Sequence, residues 1–233
     1  IGNIHYTKAD YREAIKYYKL AVKAYEEAGS KKWIASTYNN LSEAFVQLGN
    51  YPEALKYLLT GLKMLKEIGD KERMQLFYLN IGNLYLKLIN YPEAMKCFQT
   101  NLTIAKEVGN KEVIANAYES IGRVYEKQGN YSEALTNYSV AQKAFIELNS
   151  KWSIANVYMD FGSVYLHQSK YDEALKNFNT AAKIFQGIGE DLGLPDAYIN
   201  IGDILSRQAA LEKNQAVRTK KYYKAIVALN KAL

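Results

Sequence analysis

The chain has 233 residues, 48% hydrophobic and 23% charged, a balance that excludes disorder and supplies a buried core. Its formal net charge of +6 is modest for this length and contains no run of five like charges, so it biases the surface toward acidic partners at most. Cys97 is the single cysteine, which excludes an intrachain disulfide and a cysteine metal cluster, and no eighteen-residue apolar stretch is present to span a membrane.

A repeat runs along the whole sequence. Tyr11, Tyr51, Tyr91, Tyr131 and Tyr171 fall forty residues apart, and each is followed two residues on by Glu13, Glu53, Glu93, Glu133 or Glu173. Ala14, Ala54, Ala94, Ala134 and Ala174 come next, and then an apolar residue. Gly82, Gly122, Gly162 and Gly202 recur at the same period, with Gly2 and Ser42 in the equivalent places. A period of this length marks a stacked array of helix pairs.

In chain order, the sequence opens partway through a unit. Ile1-Gly2 align with Leu41-Ser42, so the first half of a helix is expected to be missing. Ile1 to Ala9 carry no secretory n-region or h-region, and a cytoplasmic location is the expectation, with export left open by that beginning. The second unit predicts one helix from Lys31 to Leu48, a stop at Gly49-Asn50, and another from Pro52 to Ile68. Pro52 and Pro92 suit a first helical turn, and Ser132 and Asp172 occupy the same place later. Gly29, Gly49, Gly69, Gly109, Gly129 and Gly189 fit left-handed helix ends.

The mid-helix glycines read as points where the backbone of the opposing helix comes nearest. Tyr38, Tyr78, Tyr118, Tyr158 and Tyr198, with Phe45, Tyr85, Tyr125 and Tyr165, fill the larger gaps around them. Most of the tyrosines are therefore structural. The corner from Gly187 to Pro195 is the most irregular. Tyr222, Ala225 and Ile226 match Tyr171, Ala174 and Leu175 at fifty-one residues rather than forty. About eleven extra residues near 209–219 are thus expected as a protruding helical extension, and Ala232 aligns with Ala181, so the last helix is short. The expected organisation is one array of units near 1–28 (partial), 31–68, 71–108, 111–148, 151–188 and 191–233.

The run Tyr78-x-Asn80-Ile81-Gly82-Asn83-x-Tyr85, then Asn90-Tyr91-Pro92-Glu93-Ala94 and Phe98, resembles the tetratricopeptide repeat (TPR) signature. The forty-residue period is similar to that of Leu-Gly-Asn-repeat adaptors, kinesin light chains and bacterial TPR regulators. The resemblance implies an all-α fold, a right-handed α-α superhelix (TPR solenoid) of antiparallel helix pairs, covering essentially the whole chain. It also implies a concave groove, lined by the first helix of each pair, that holds a peptide or helix.

Carried onto this sequence, the groove positions are Ser36, Asn39, Glu43, Val46 and Gln47, then Leu79, Asn83, Leu86 and Lys87. Asn116, Glu119, Arg123, Glu126 and Lys127 follow, then Asn156, Met159, Ser163, Leu166 and His167. Asp196, Ile199, Asp203, Ser206 and Arg207 complete it. In the adaptors the second asparagine of Asn-Leu-Gly-Asn grips partner backbone; Asn3 and Asn83 match it, whereas Glu43, Arg123, Ser163 and Asp203 depart. That mixture points to a partner-specific polar pattern. Asn83, Lys87, Arg123 and Lys127 partly resemble the clamp for a terminal carboxylate found in chaperone-binding TPR domains, a pattern that Glu119 and Glu126 interrupt.

Nothing in the sequence carries catalysis. His5 and His167 are the only histidines and show no metal-ligand spacing, and no phosphate loop or nucleophile elbow occurs. The Glu13 series suits helix dipoles instead. No cofactor or metal is expected. Lys213, Arg218, Lys220, Lys221 and Lys224 form the densest basic patch, which suits a local acidic contact rather than DNA reading by the array. The leading expectation is a protein- or peptide-binding scaffold. The alternatives are a sensor segment of a larger bacterial signalling protein (kinase, cyclase or transcription regulator), and homo-oligomerisation through the end helices.

Overall fold

The computed structural model describes residues 1–189 and 193–232, and every regular element among them is an α-helix. In chain order these are α1 (Gly2–Thr7), α2 (Tyr11–Glu27), α3 (Lys31–Gln47), α4 (Tyr51–Ile68), α5 (Lys71–Lys87) and α6 (Tyr91–Val108). They continue as α7 (Lys111–Lys127), α8 (Tyr131–Glu147), α9 (Lys151–His167), α10 (Tyr171–Ile188), α11 (Leu194–Leu211) and α12 (Gln215–Asn230). The helices form two compact units, Ile1–Ala117 and Tyr118–Leu233, with the boundary inside α7. In the first unit each helix packs on its chain neighbour, from α1 on α2 through α5 on α6; in the second, α8 packs on α9 and so on to α11 on α12. None of the described helices is long and apolar enough to cross a membrane.

Side chains at the corners set the helix ends. The carboxylate or amide oxygens of Asp10, Asn50, Asp70 and Asn90 accept from the backbone N–H groups of Glu13, Glu53, Arg73 and Glu93. Such caps are each worth about 1 kcal/mol. Pro52 and Pro92 lie in first turns, as do the glutamates of the repeat. The six corner glycines adopt φ between 66° and 79°, as their positions predict. At the equivalent corners elsewhere Ala9, Ile89, Asn149 and Ser169 take φ from 53° to 59° without being glycine. A β-branched residue such as Ile89 pays about 1–2 kcal/mol for that conformation.

The cores repeat with the sequence. Leu58, Phe77 and Ile81 are almost fully buried in the first unit, Phe178, Phe185 and Ile204 in the second. The mid-helix glycines have a different cause from the one expected. A Cβ on Gly82, Gly122 or Gly162 would meet the ring of Phe98, Tyr138 or Phe178 first, at 2.5–2.6 Å, whereas the nearest backbone atom at Gly122 is the Ala134 carbonyl oxygen at 3.3 Å. The ring, rather than the opposing backbone, demands the missing side chain.

The eleven extra residues divide between two helices. His167 aligns with Arg207, so α11 runs four residues beyond the usual end, to Leu211. Tyr222 aligns with Tyr171, so α12 starts seven residues early, at Gln215, and the turn keeps its usual three residues. The register is confirmed by Leu229, which faces Gly202 as Phe178 faces Gly162. The irregular corner predicted from Gly187 to Pro195 includes positions 190–192, outside the described residues, and Leu194-Pro195 open α11.

Candidate functional site

With 3.6 residues per turn, positions such as 79, 83 and 87 share one face of an odd-numbered helix. In the first unit this face of α3 and α5 brings Glu43, Gln47, Asn83 and Lys87 around a cavity of about 120 Å³. Val46, Leu58 and Leu84 give it apolar walls, and Tyr6 and Asn80 also reach it. Among the described residues, Gln47, Asn83 and Lys87 have no hydrogen-bond or ion-pair partner within the chain, so three donor-bearing side chains converge on an apolar pocket. Leu79 and Leu86 are half-buried on α5, and Asn116 is half-buried on the part of α7 in this unit.

Asn39 is not a groove residue in the sense expected. It is 6% exposed, accepts from the Asn80 amide at 2.7 Å through Oδ1, and donates to Glu43 at 2.8 Å. It therefore ties α3 to α5 beneath the surface. Asn3, one of the two motif asparagines, accepts from the Tyr18 hydroxyl at 2.8 Å.

In the second unit the same face is a half-buried polar network rather than an open pocket. Glu126, 7% exposed, accepts from the Tyr138 hydroxyl at 2.7 Å and the Ser163 hydroxyl at 2.6 Å, while His167 Nε2 lies 3.5 Å away. Burial and the neighbouring Asp160 and Glu126 carboxylates push the Tyr138 hydroxyl far above its ordinary range. Asp160 meets Glu119 of α7, and burial first, then that second carboxyl, raises the Asp160 carboxyl well above the usual range. Glu119 is raised by burial too, against the opposing pull of Arg123. Arg123 donates to the Ser120 hydroxyl at 3.0 Å, and its Nε, like Asp160 Oδ2, has no hydrogen-bond partner among the described residues. Glu119 and Asp160 lie close enough for their carboxyls to sense the Arg123 guanidinium, which shares this face with them.

The other expected positions are more locally engaged. Asn156 donates to the Trp152 carbonyl of its own helix, and Arg207 pairs with Asp203 at 2.9 Å. Met159 and Leu166 pack against the core between α10 and α11, and exposed Lys127 lies near Asp160. Asn80, Ser120, Tyr138 and Asp160 were not anticipated. The signal for Asn80 and Asp160 is a pairing across one period plus one, Asn39 with Asn80 and Glu119 with Asp160, visible only once the joint between successive odd helices is known.

The sequence profile of the tetratricopeptide repeat matches residues 1–67, 73–147 and 153–213. No curated protein sequence matches the chain. Among solved structures, BtubC (BKLC) from P. vanneervenii is 18% identical, with a TM-score of 0.74 over 95% of this chain and 89% of that one. The apo form of RapI is also 18% identical, with a TM-score of 0.74 over 99% of this chain and 81% of its own. A Rap protein complexed with Competence and Sporulation Factor is 16% identical, with a TM-score of 0.70 over 99% and 71%. At these identities the likeness carries the fold alone, but the repeat profile covers most of the sequence, and the chain belongs to the tetratricopeptide repeat family.

Proposed function

We propose that the chain is a non-catalytic module that binds a protein or peptide, and that in the first unit the α3–α5 face receives it. The observation that carries this reading is the convergence of Gln47, Asn83 and Lys87, unpartnered among the described residues, on an apolar-walled cavity of about 120 Å³. That volume suits one side chain of a bound segment, since a cavity of about 150 Å³ holds benzene. The Asn83 amide offers a donor and an acceptor, the pair needed by a partner's backbone. Glu43 and Lys87 would then select charge on either side. The complex of a structural neighbour, the Rap protein with Competence and Sporulation Factor, supports the view that this fold carries a bound partner.

The test is selection of binding peptides from a random displayed library, followed by calorimetry on variants. Asn83→Ala is expected to weaken selected peptides on the order of tenfold, the loss of one or two hydrogen bonds. Asn156→Ala, whose amide is held by its own helix, is expected to change nothing. Peptides that bind Asn83→Ala and Lys87→Glu as tightly as the parent place the partner elsewhere.

A further inference from the structure

The repeat supplies its own template for a second site, on the opposite side of the odd helices. In the first unit Tyr38 and Phe45 of α3 hold the ring of Tyr57 between them, with centroids 5.3 Å and 5.5 Å away and the Phe45 ring stacked at 10°. Tyr57 is thus the stopper of a slot that opens between successive even helices. One period on, Cys97 stands in its place, and three periods on, Asn177. Each lines an open niche at the equivalent place.

The niche at Asn177 is the larger, about 430 Å³ against about 210 Å³ at Cys97. Tyr158, Phe161 and Tyr165 of α9 form its floor, and Glu173 and Lys176 of α10 stand at its rim. Phe161 is fixed from below, edge-on to the buried Tyr138 ring at 6.0 Å. The residues that could have closed the niche turn away. Asn177 donates to the Glu173 carbonyl at 2.8 Å, and Ser139 on the facing wall donates to the Leu135 carbonyl at 2.7 Å. The slot therefore keeps its aromatic floor, with Asn177 and Ser139 beside it held by their own helices.

We propose that this niche is a binding site for a tyrosine side chain of a partner protein. The ring would lie between Tyr158 and Tyr165 as Tyr57 lies between Tyr38 and Phe45. Tyrosine is favoured over an aliphatic residue by the floor, which offers ring faces and edges. It is favoured over phenylalanine by the rim. Glu173 can accept from a phenolic hydroxyl and Lys176 can donate to it, and the two charges of opposite sign suit a group that is both donor and acceptor. The site is independent of the α3–α5 cavity and stands whether or not that cavity binds anything.

The experiment titrates the intact chain with p-cresol and N-acetyl-tyrosinamide, followed by NMR of the aromatic rings. Saturable shifts are expected at Phe161 and Tyr165, with N-acetyl-leucinamide weaker on the order of tenfold. Asn177→Tyr transplants the natural stopper; it is expected to keep the helical fold, raise the melting temperature and abolish the shifts. Asn83→Ala is expected to leave them unchanged. As a converse, Tyr57→Ala opens the first slot, and p-cresol is expected to restore part of the melting temperature it loses. Shifts that never localise to Phe161 and Tyr165, or that persist in Asn177→Tyr, overturn the proposal; so does N-acetyl-leucinamide binding as well as the tyrosine probe.

Discussion

Gly162 and Gly187 both sit inside helices of the second unit, and alanine at the two positions is expected to act in opposite directions. Glycine within a helix costs about 1 kcal/mol relative to alanine, so either substitution begins with that gain. At Gly187 nothing lies within 4 Å of the added Cβ, and the gain survives, reduced by the position near the helix end. At Gly162 the Cβ falls 2.6 Å from Phe178 Cε1 and 2.8 Å from Cδ1 and Cζ, inside a ring that is 1% exposed and has nowhere to move. Overpacking of that kind costs about 1–3 kcal/mol. The two variants should therefore differ by roughly 2 kcal/mol, or about 4–8 °C in melting temperature for a chain of this size. The first unit shows the compensation: Ser42, which carries a Cβ, takes the place of Gly162, and Leu58, which lines the same cavity, takes the place of Phe178. Gly162→Ser should accordingly be tolerated better with Phe178→Leu than without it. Circular-dichroism melts of the single and double variants decide the matter. If Gly162→Ala melts at or above the parent, or if the double variant shows no coupling, the ring is not what excludes a side chain there.

The remaining expectations concern strain, burial and charge. Ile89→Gly relieves a left-handed isoleucine and should add about 1 kcal/mol, read as a higher denaturation midpoint; a lower midpoint refutes it. Asn101 is fully buried with neither amide atom hydrogen-bonded, while Ala21, Ala141 and Ala181 occupy the equivalent places. Asn101→Ala should therefore stabilise by about 1–2 kcal/mol, and a loss in thermal melting would point to a partner for that amide. Tyr138→Phe strips a donor from buried Glu126 and should cost about 1–3 kcal/mol; a neutral result would mean Ser163 alone satisfies that carboxyl. Asp160 and Glu119 hold protons in the fold that the unfolded chain has lost, so stability should fall as pH rises from the ordinary carboxylate range through the raised folded values. Asp160→Asn should flatten that fall and be more stable than the parent at pH 8, with the advantage shrinking toward pH 4; parallel urea midpoints across this range would exclude the linkage.

The fold was legible because the signature positions keep one burial state, the recurring tyrosines half-buried and the recurring alanines buried. A tyrosine, a glutamate and an alanine recurring at forty residues describe a helix start, a dipole partner and a close contact, and they stand in those places in the fold. The length of the insertion was legible from the shift of Tyr222 to fifty-one residues. Its division into four residues on α11 and seven on α12 was not, because helix-favouring composition continues across both. Among the candidate site residues, the register found the face but not the depth. Asn39 and Asn83 are both asparagines on the odd-numbered helices, yet one is locked to Asn80 and the other lines a cavity. Depth depends on which side chain of the next odd helix arrives opposite, a fact spread over two repeats and carried by neither alone.

That joint also explains why the two units present such different surfaces at equivalent positions. In the first, Asn39 and Asn80 meet as two neutral amides, donor to acceptor, and need nothing from their surroundings. The neighbouring Asn83 and Lys87 are thereby left for the cavity. In the second, Glu119 and Asp160 take the same two places as acids, and two half-buried carboxyls side by side cannot both be ionised at low cost. Burial and the facing acid raise the Asp160 carboxyl, and the nearby Arg123 pulls the other way. Arg123, in the place of Asn83, is thus drawn into the joint, and Ser163 is drawn toward Glu126 in its turn. An asparagine at 160 would release that requirement. A single pair of residues at the seam between helix pairs therefore decides whether the next position along lines a cavity or serves the joint.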